Sequence, residues 1–266
     1  MNRIEQVFER TRNENRAALI GYITAGDPDL ETSFDILDAA CGAGLDLLEL
    51  GIPFSDPTAD GPVIQRAACR AIGAGMTLEK GIDLVRRLRK RHELPIILFS
   101  YYNPIMAMGP ERFVTEAIQA GADGVLTVDL PRERADEIMQ FVDSKESKSF
   151  SFIRLIAPTT DPERCKETLR KSQGFIYVVS RHGVTGSGKI DWNALSNEIQ
   201  VLRLETTTPL CIGFGISTPE DARSAARIAD GVIVGSVLQK LIEDYPQDAP
   251  KQVGKSIRDL ATAVNR

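Results

Sequence analysis

Eight short runs along the chain are almost continuously apolar: Ala18–Thr24, Leu45–Leu50, Ile96–Tyr101, Gly124–Val128, Phe150–Ile156, Phe175–Ser180, Leu210–Phe214 and Gly231–Val234. None shows a regular alternation of polar and apolar residues, as expected of strands covered on both faces. Between most of them lie stretches with apolar positions at helical spacing, among them Leu78–Arg91, Arg132–Phe141, Asp161–Lys171 and Pro219–Ile228. Strand starts recur about every 30 residues, the length of one βα unit. Three junctions share a motif that closes a helix and opens a strand: Ala43-Gly44-Leu45-Asp46, Ala120-Gly121-Ala122-Asp123-Gly124 and Ala229-Asp230-Gly231. Glycine is expected to form the left-handed helix cap and aspartate the turn. The pattern predicts a single-domain (β/α)8 barrel over residues 1–266, with an extra N-terminal helix over residues 2–15 and a terminal helix over 248–264. A doubly wound open sheet has the same periodicity, which does not itself show closure.

Composition narrows the function classes. With 32 Lys plus Arg against 37 Asp plus Glu, the net charge of −5 gives no global attraction to nucleic acid or an anionic membrane, so an anionic ligand has to be held locally. Cys41, Cys69, Cys165 and Cys211 form no C-x-x-C pair, and His92 and His182 stand apart, so no metal site is expected. The N-terminus is charged from its third residue and the longest uncharged stretch, Leu94–Pro110, is interrupted by prolines. The expectation is a soluble, cytoplasmic protein with no membrane span.

In a barrel the chemistry sits at the C-terminal ends of the strands. Glu49 lies inside the run Leu45-Asp46-Leu47-Leu48-Glu49-Leu50, where water is scarce; an ion-pair anchor and a catalytic acid/base both fit a carboxylate there. The proline-rich loop Gly51–Pro62 then adds Asp56 and Asp60; two carboxylates at one strand mouth could divide acid and base work, while either one alone reads better as a turn former beside proline. Gly213-Phe214-Gly215-Ile216-Ser217 and Val234-Gly235-Ser236 end strands seven and eight, the usual phosphate-binding pair of loops in barrels, and two simple helix caps would look the same. Gly183–Lys189 mimics a P-loop, but Ile190 stands where magnesium binding needs a hydroxyl, and Asp191 looks like the cap of the next helix. A glycine-rich loop over a site, with Thr185 as its useful hydroxyl, is the better reading. No strand carries a lysine, so a Schiff base is not expected; carboxylate chemistry on a phosphorylated small molecule remains.

The run Leu48-Glu49-Leu50-Gly51-Ile52-Pro53-Phe54-Ser55-Asp56-Pro57, with Ala59-Asp60-Gly61-Pro62, closely resembles the signature of the tryptophan synthase alpha chain family. Thr24–Pro28, Ser180–Gly186 and Gly213–Ser217 look like the same family in the same order. The resemblance implies a lyase that cleaves indole-3-glycerol phosphate to indole and glyceraldehyde 3-phosphate. It implies Glu49 as the acid/base and Asp60 as the partner of the indole N–H. Tyr22 and Phe214 would line the indole slot, Tyr177 would support Glu49, Thr185 would close onto Asp60, and Gly186, Gly215, Gly235 and Ser236 would hold phosphate. It further implies no cofactor in this chain and a PLP-dependent beta chain as partner in an alpha2-beta2 tetramer. Pro53, Phe54, Asp56, Pro57, Asn103 and Pro104 are the expected contact surface, an exposed apolar patch at the barrel mouth. An indole-glycerol-phosphate synthase, which needs catalytic lysines at strand ends, and a non-catalytic barrel that only activates a partner are the competing readings.

Overall fold

The computed structural model describes residues 1–130, 134–144, 149–157, 160–180, 190–213 and 215–266. In chain order the elements are α1 (Arg3–Asn13), β1 (Ala18–Thr24), α2 (Leu30–Gly42), β2 (Leu47–Gly51), α3 (Pro62–Gly73), α4 (Leu78–Arg89), β3 (Ile96–Ser100), α5 (Tyr102–Met108), α6 (Pro110–Ala120) and β4 (Gly124–Thr127). They continue with α7 (Asp136–Ser144), β5 (Ser151–Ile156), α8 (Pro162–Arg170), β6 (Ile176–Val179), α9 (Trp192–Glu205), β7 (Leu210–Gly213), α10 (Pro219–Ala226), β8 (Gly231–Val234), α11 (Ser236–Asp244) and α12 (Ala249–Ala263). The strands close in sequence order, each parallel to the next and β8 parallel to β1. The sheet is a barrel; the open alternative does not apply.

Two apolar layers hold it together. Alternate strand residues such as Leu48, Leu50, Leu98, Val125 and Val232 face outward into the sheet–helix layer. The residues between them, including Ile20, Leu47, Ile97, Leu126, Ile153 and Ile233, fill the lumen. The N-terminal helix closes the base: Ile4, Val7 and Phe8 pack into the lumen cluster, and the Phe8 and Phe175 rings lie 6.0 Å apart. Asn2 caps α1 through a reciprocal capping box with Glu5, which fixes where this plug begins.

The three aspartates of the repeated motif do more than turn the chain. Leu19 N–H donates to Asp46 Oδ2 (2.9 Å) while Asp46 N–H donates to Leu19 O (2.9 Å). Ile96 and Asp123 make the same reciprocal pair (2.9 and 2.9 Å), as do Leu210 and Asp230 (2.9 and 2.8 Å). Each carboxylate also meets a guanidinium: Arg16 and Arg10 on Asp46, Arg89 and Arg3 on Asp123, and Arg203 on Asp230. The clamps tie β1 to β2, β3 to β4 and β7 to β8 at the end of the barrel opposite the mouth. The glycine part of the expectation holds for Gly44 (φ 114°) and for Gly121 (φ 91°), which caps α6 in the left-handed region. It fails for Gly231, which lies inside β8, where a Cβ would come within 2.5 Å of Cys211 Sγ.

Candidate active site

At the mouth, period-2 alternation from Leu47 turns Glu49 into the lumen, and the register sets it beside Tyr22 of β1 and Ile97 of β3. Glu49 is 0% exposed, and neither carboxylate oxygen has a hydrogen-bond partner among the described residues. Burial alone pushes its carboxyl up to about 8, so near neutral pH it is a protonated acid. Of the two readings of Glu49 from sequence, the ion-pair anchor has no counterpart in the described residues.

Asp60 lies half-buried in the loop after β2. Burial raises its carboxyl to about 6, opposed by the Tyr101 hydroxyl, which donates to Asp60 Oδ2 at 3.1 Å. The same hydroxyl accepts the Ala59 N–H at 2.9 Å, and the Tyr101 ring packs on Phe54 with centroids 5.1 Å apart. Tyr101 therefore ties the loop to the end of β3. The sequence reading gave it no role, because a tyrosine at a strand end carries no signal until its partner across the mouth is known.

Tyr22 and Tyr177 are both buried and belong to the lumen cluster. Their hydroxyls are pushed upward first by burial and then by nearby carboxylates, Asp60 ahead of Glu49 at Tyr22 and Glu49 ahead of Asp60 at Tyr177. The four side chains share one low-dielectric neighbourhood. Two glycines make room for the tyrosines: a Cβ at Gly51 would run into the Tyr22 hydroxyl, and one at Gly213 into the Tyr177 hydroxyl. Gly213 is the last residue of β7, within the apolar run expected for that strand. The Tyr22 ring meets Phe99 edge-on at 5.0 Å, which fixes its plane.

The two glycine loops are not equivalent. Helix α10 starts at Pro219, and its own Asp221 takes the N–H groups of Ser217 and Thr218 (3.2 and 3.0 Å), the latter in a capping box. A carboxylate already occupies that terminus. Helix α11 starts at Ser236 behind Gly235 with no side-chain cap, and Ser236 is exposed. Gly215 is exposed beside β7 with φ 77°, and a Cβ there would meet Ile190 Cδ1 at 3.4 Å. Thr185, Gly186 and Phe214 lie outside the described residues, as do His182 and Lys189. Asp191 caps α9 by accepting from the Asn193 and Ala194 N–H groups, and α9 begins after it, at Trp192.

The expected apolar patch is smaller than the sequence suggested. Pro53 is buried, because the chain there still follows the strand edge, with Ile52 N–H donating to Phe99 O at 2.8 Å. Phe54, Pro57 and Pro104 are half-buried, Asp56 and Asn103 exposed, and Met106 is 52% exposed on α5. No group of three or more His, Cys, Asp and Glu among the described residues is arranged to hold a metal. No helix among them is long and apolar enough to cross a membrane.

The family described as "Tryptophan synthase alpha chain" matches residues 8–265. The tryptophan synthase alpha chain of Desulfatibacillum aliphaticivorans is 49% identical over 244 residues, 92% of this chain and 91% of its own. That of Geobacter sulfurreducens is 42% identical over 264 residues, 99% of this chain and 98% of its own. Tryptophan synthase subunit alpha from Legionella pneumophila superposes with a TM-score of 0.90 at 36% identity, covering 99% of this chain and 98% of that one. A chain of Mycobacterium tuberculosis tryptophan synthase does so with a TM-score of 0.89 at 31% identity, covering 100% and 99%.

Proposed function

The chain belongs to the tryptophan synthase alpha chain family, and from that premise we propose which of its residues carry the reaction and how. The reaction is the retro-aldol cleavage of indole-3-glycerol phosphate to indole and glyceraldehyde 3-phosphate. Protonated Glu49 gives its proton to indole C3, forming an indolenine whose C=N bond is the electron sink. The resulting carboxylate takes the proton from the glycerol hydroxyl next to the ring. A carbonyl forms there, the bond to C3 breaks, and the electron pair restores the indole, leaving Glu49 protonated as it began. Asp60, ionised near neutral pH, accepts the indole N–H and balances the positive charge that develops on nitrogen. Tyr22 and Phe214 flank the ring, and Tyr177 orients the glycerol part beside Glu49. The uncapped start of α11 at Gly235 and Ser236, with Gly215 and Gly186, takes the phosphate. Thr185 closes toward Asp60.

The observation that carries this reading is Glu49: a carboxylic acid, wholly buried and unpaired among the described residues and pushed up to about 8, at a barrel mouth whose other carboxyl, Asp60, rises only to about 6. No lysine lies in any of the eight strands, which disfavours an indole-glycerol-phosphate synthase. We assign no cofactor to this chain. The partner is a PLP-dependent beta chain in an alpha2-beta2 assembly, docked on Phe54, Asp56, Pro57, Asn103 and Pro104 with Pro53 supporting the loop from beneath. Residues 1–266 act as one cytoplasmic domain, supported by the packing of α12 on α2, α10 and α11.

Indole release from indole-3-glycerol phosphate, followed with the chain alone and with increasing beta chain, tests the reading. Slow turnover alone, rising mainly in kcat with partner, is the expected result. No cleavage under either condition would overturn the assignment of Glu49 and Asp60. Full kcat alone, unchanged by saturating partner, would leave the chemistry standing and remove the coupling.

A further inference from the structure

Helices α3 and α11 give Ala71, Leu238 and Ile242 to the apolar sheet–helix layer, and beside these they also meet through polar side chains. Arg66 and Arg70, one turn apart on α3, both reach Glu243 of α11. Arg66 Nε and Nη2 donate to its two oxygens at 2.7 and 2.8 Å, and Arg70 Nη1 to Oε1 at 3.1 Å. Arg70 also grips Asp27, in the connection after β1, with two parallel bonds of 2.8 Å, and Asp27 is 0% exposed. Gln239, one turn nearer the start of α11, is 0% exposed, and its amide nitrogen and oxygen have no partner among the described residues. A polar seam thus runs from exposed Arg66 through partly buried Arg70 and Glu243 to fully buried Asp27 and Gln239.

Such a seam is a weak source of stability, since apolar side chains of the same volume often serve as well or better. What it provides is direction. A guanidinium bonded to a carboxylate through two parallel hydrogen bonds has one favoured geometry, whereas an apolar helix pair tolerates sliding. The ends of the two helices are where that direction matters. Helix α3 starts at Pro62, two residues after Asp60, and α11 starts at Ser236, directly after Gly235. Arg70 extends the tie to β1, the strand that carries Tyr22.

We propose that the Arg66–Arg70–Glu243–Asp27 seam is a positioning device that sets the separation between Asp60 and the α11 amides, and with it the length of the substrate slot. The inference rests on the site assignment above, in which Asp60 holds the indole end and α11 the phosphate end. None of the four residues touches substrate. They act through the two helices, so a ligand that must reach both ends depends on them and a ligand that occupies one end does not.

Three probes separate these cases by calorimetry: inorganic phosphate, indole, and 3-(indol-3-yl)propyl phosphate, which links the two ends without the cleavable hydroxyl. Glu243→Met removes both acceptors that tie the helices while leaving Arg70 paired with Asp27. Its expected effect is a rise of about tenfold in Kd for the linked probe, with phosphate and indole changed by less than about twofold, because misplacement is felt only by a ligand spanning both contacts. kcat/KM for the natural substrate should fall in parallel with the linked probe. Arg66→Met, at a half-exposed position, removes two of the three bonds to Glu243 from the other helix, should give a smaller rise in the same direction, and guards against a folding defect in the first variant. Equal weakening of all three probes, or an unchanged Kd for the linked probe in a folded variant, overturns the proposal. A wild-type chain that binds the linked probe no more tightly than phosphate overturns the site assignment itself, and the inference with it.

Discussion

The two ends of the barrel treat their carboxylates in opposite ways. At the base, Asp46, Asp123 and Asp230 each accept a backbone N–H from the preceding strand and meet at least one arginine. At the mouth, Glu49 is as deeply buried as any of them and has no partner among the described residues. A buried carboxylate with a full set of donors fixes backbone geometry, and at Asp123 the upward push of burial is opposed by the Ile96 N–H, Arg89 and Arg3. One without donors keeps its proton into the neutral range, where that proton is available for transfer. The contrast separates residues that hold the fold from residues the fold holds in readiness.

The contrast can be broken from either end, and Glu49 should give the largest effect. Glu49→Gln should lose roughly 10²–10⁴-fold in kcat, the usual contribution of a general acid/base, while thermal unfolding shows no loss of stability. Near wild-type indole release by this variant would remove Glu49 from the mechanism. The base should respond in the reverse sense. Asp123→Ala leaves the Ile96 N–H without its acceptor and Arg89 with only the carbonyls of Gly121, His92 and Leu94, so it should lower stability by about 1–3 kcal/mol in denaturant unfolding with kcat of the folded fraction preserved. If Asp123→Ala instead spared the fold and abolished turnover, the division between base and mouth would be wrong.

Phosphate binding should show a smaller effect. Gly215→Val forces a branched side chain into a positive φ, and Gly235→Val crowds Tyr22, whose Cβ and Cδ1 lie 3.3 and 3.4 Å from the added Cβ. Each should raise KM about tenfold or more by disturbing the amides. Lys189→Ala is the control: a larger rise there would make the lysine the phosphate anchor.

The pH dependence sharpens the same contrast with the least disturbance. Glu49 has to be protonated and Asp60 ionised, so kcat/KM should be bell-shaped with limbs near 6 and 8. Tyr101→Phe removes the hydroxyl that lowers Asp60 and should move the acidic limb slightly upward while the basic limb stays. Stability carries the matching sign. The native Glu49 carboxyl lies above its ordinary 4.5, so the native chain binds more protons than the unfolded one between there and about 8. Wild-type stability relative to Glu49→Gln should therefore decline as pH rises through that window and level off above it. A difference that grows in the opposite direction would mean that Glu49 is ionised and paired.

Elements that depend on local pattern were legible in the sequence. β1 and β8 have the predicted bounds, and the other strands differ by one or two residues at their ends, because a buried parallel strand needs an unbroken apolar run wherever it lies. Glu49 stood out for the same reason, as one charge inside such a run. Contacts across the barrel were not legible. Asp46, Asp123 and Asp230 looked like turn residues because their donors sit on the preceding strand and on arginines elsewhere in the chain. Tyr101 and the Arg66–Arg70–Glu243 seam gave no signal for the same reason: Glu243 lies 177 residues from Arg66. Pro53 was placed on the surface because proline suggests a loop, yet the chain there is still bound to the end of β3.

The close fit of Tyr22 over Gly51 and of Tyr177 over Gly213 constrains the order in which this sequence can change over evolutionary time. A methyl group at either glycine collides with a phenolic oxygen, so glycine-to-alanine is closed as a first step. It opens only after the facing tyrosine has given way to a side chain without the ring, because Cζ alone would also collide with the methyl at Gly51 or at Gly213, and from then on the tyrosine is closed in turn. Each pair behaves as one heritable unit with a one-way gate between its two states, although its members lie 29 and 36 positions apart in the chain.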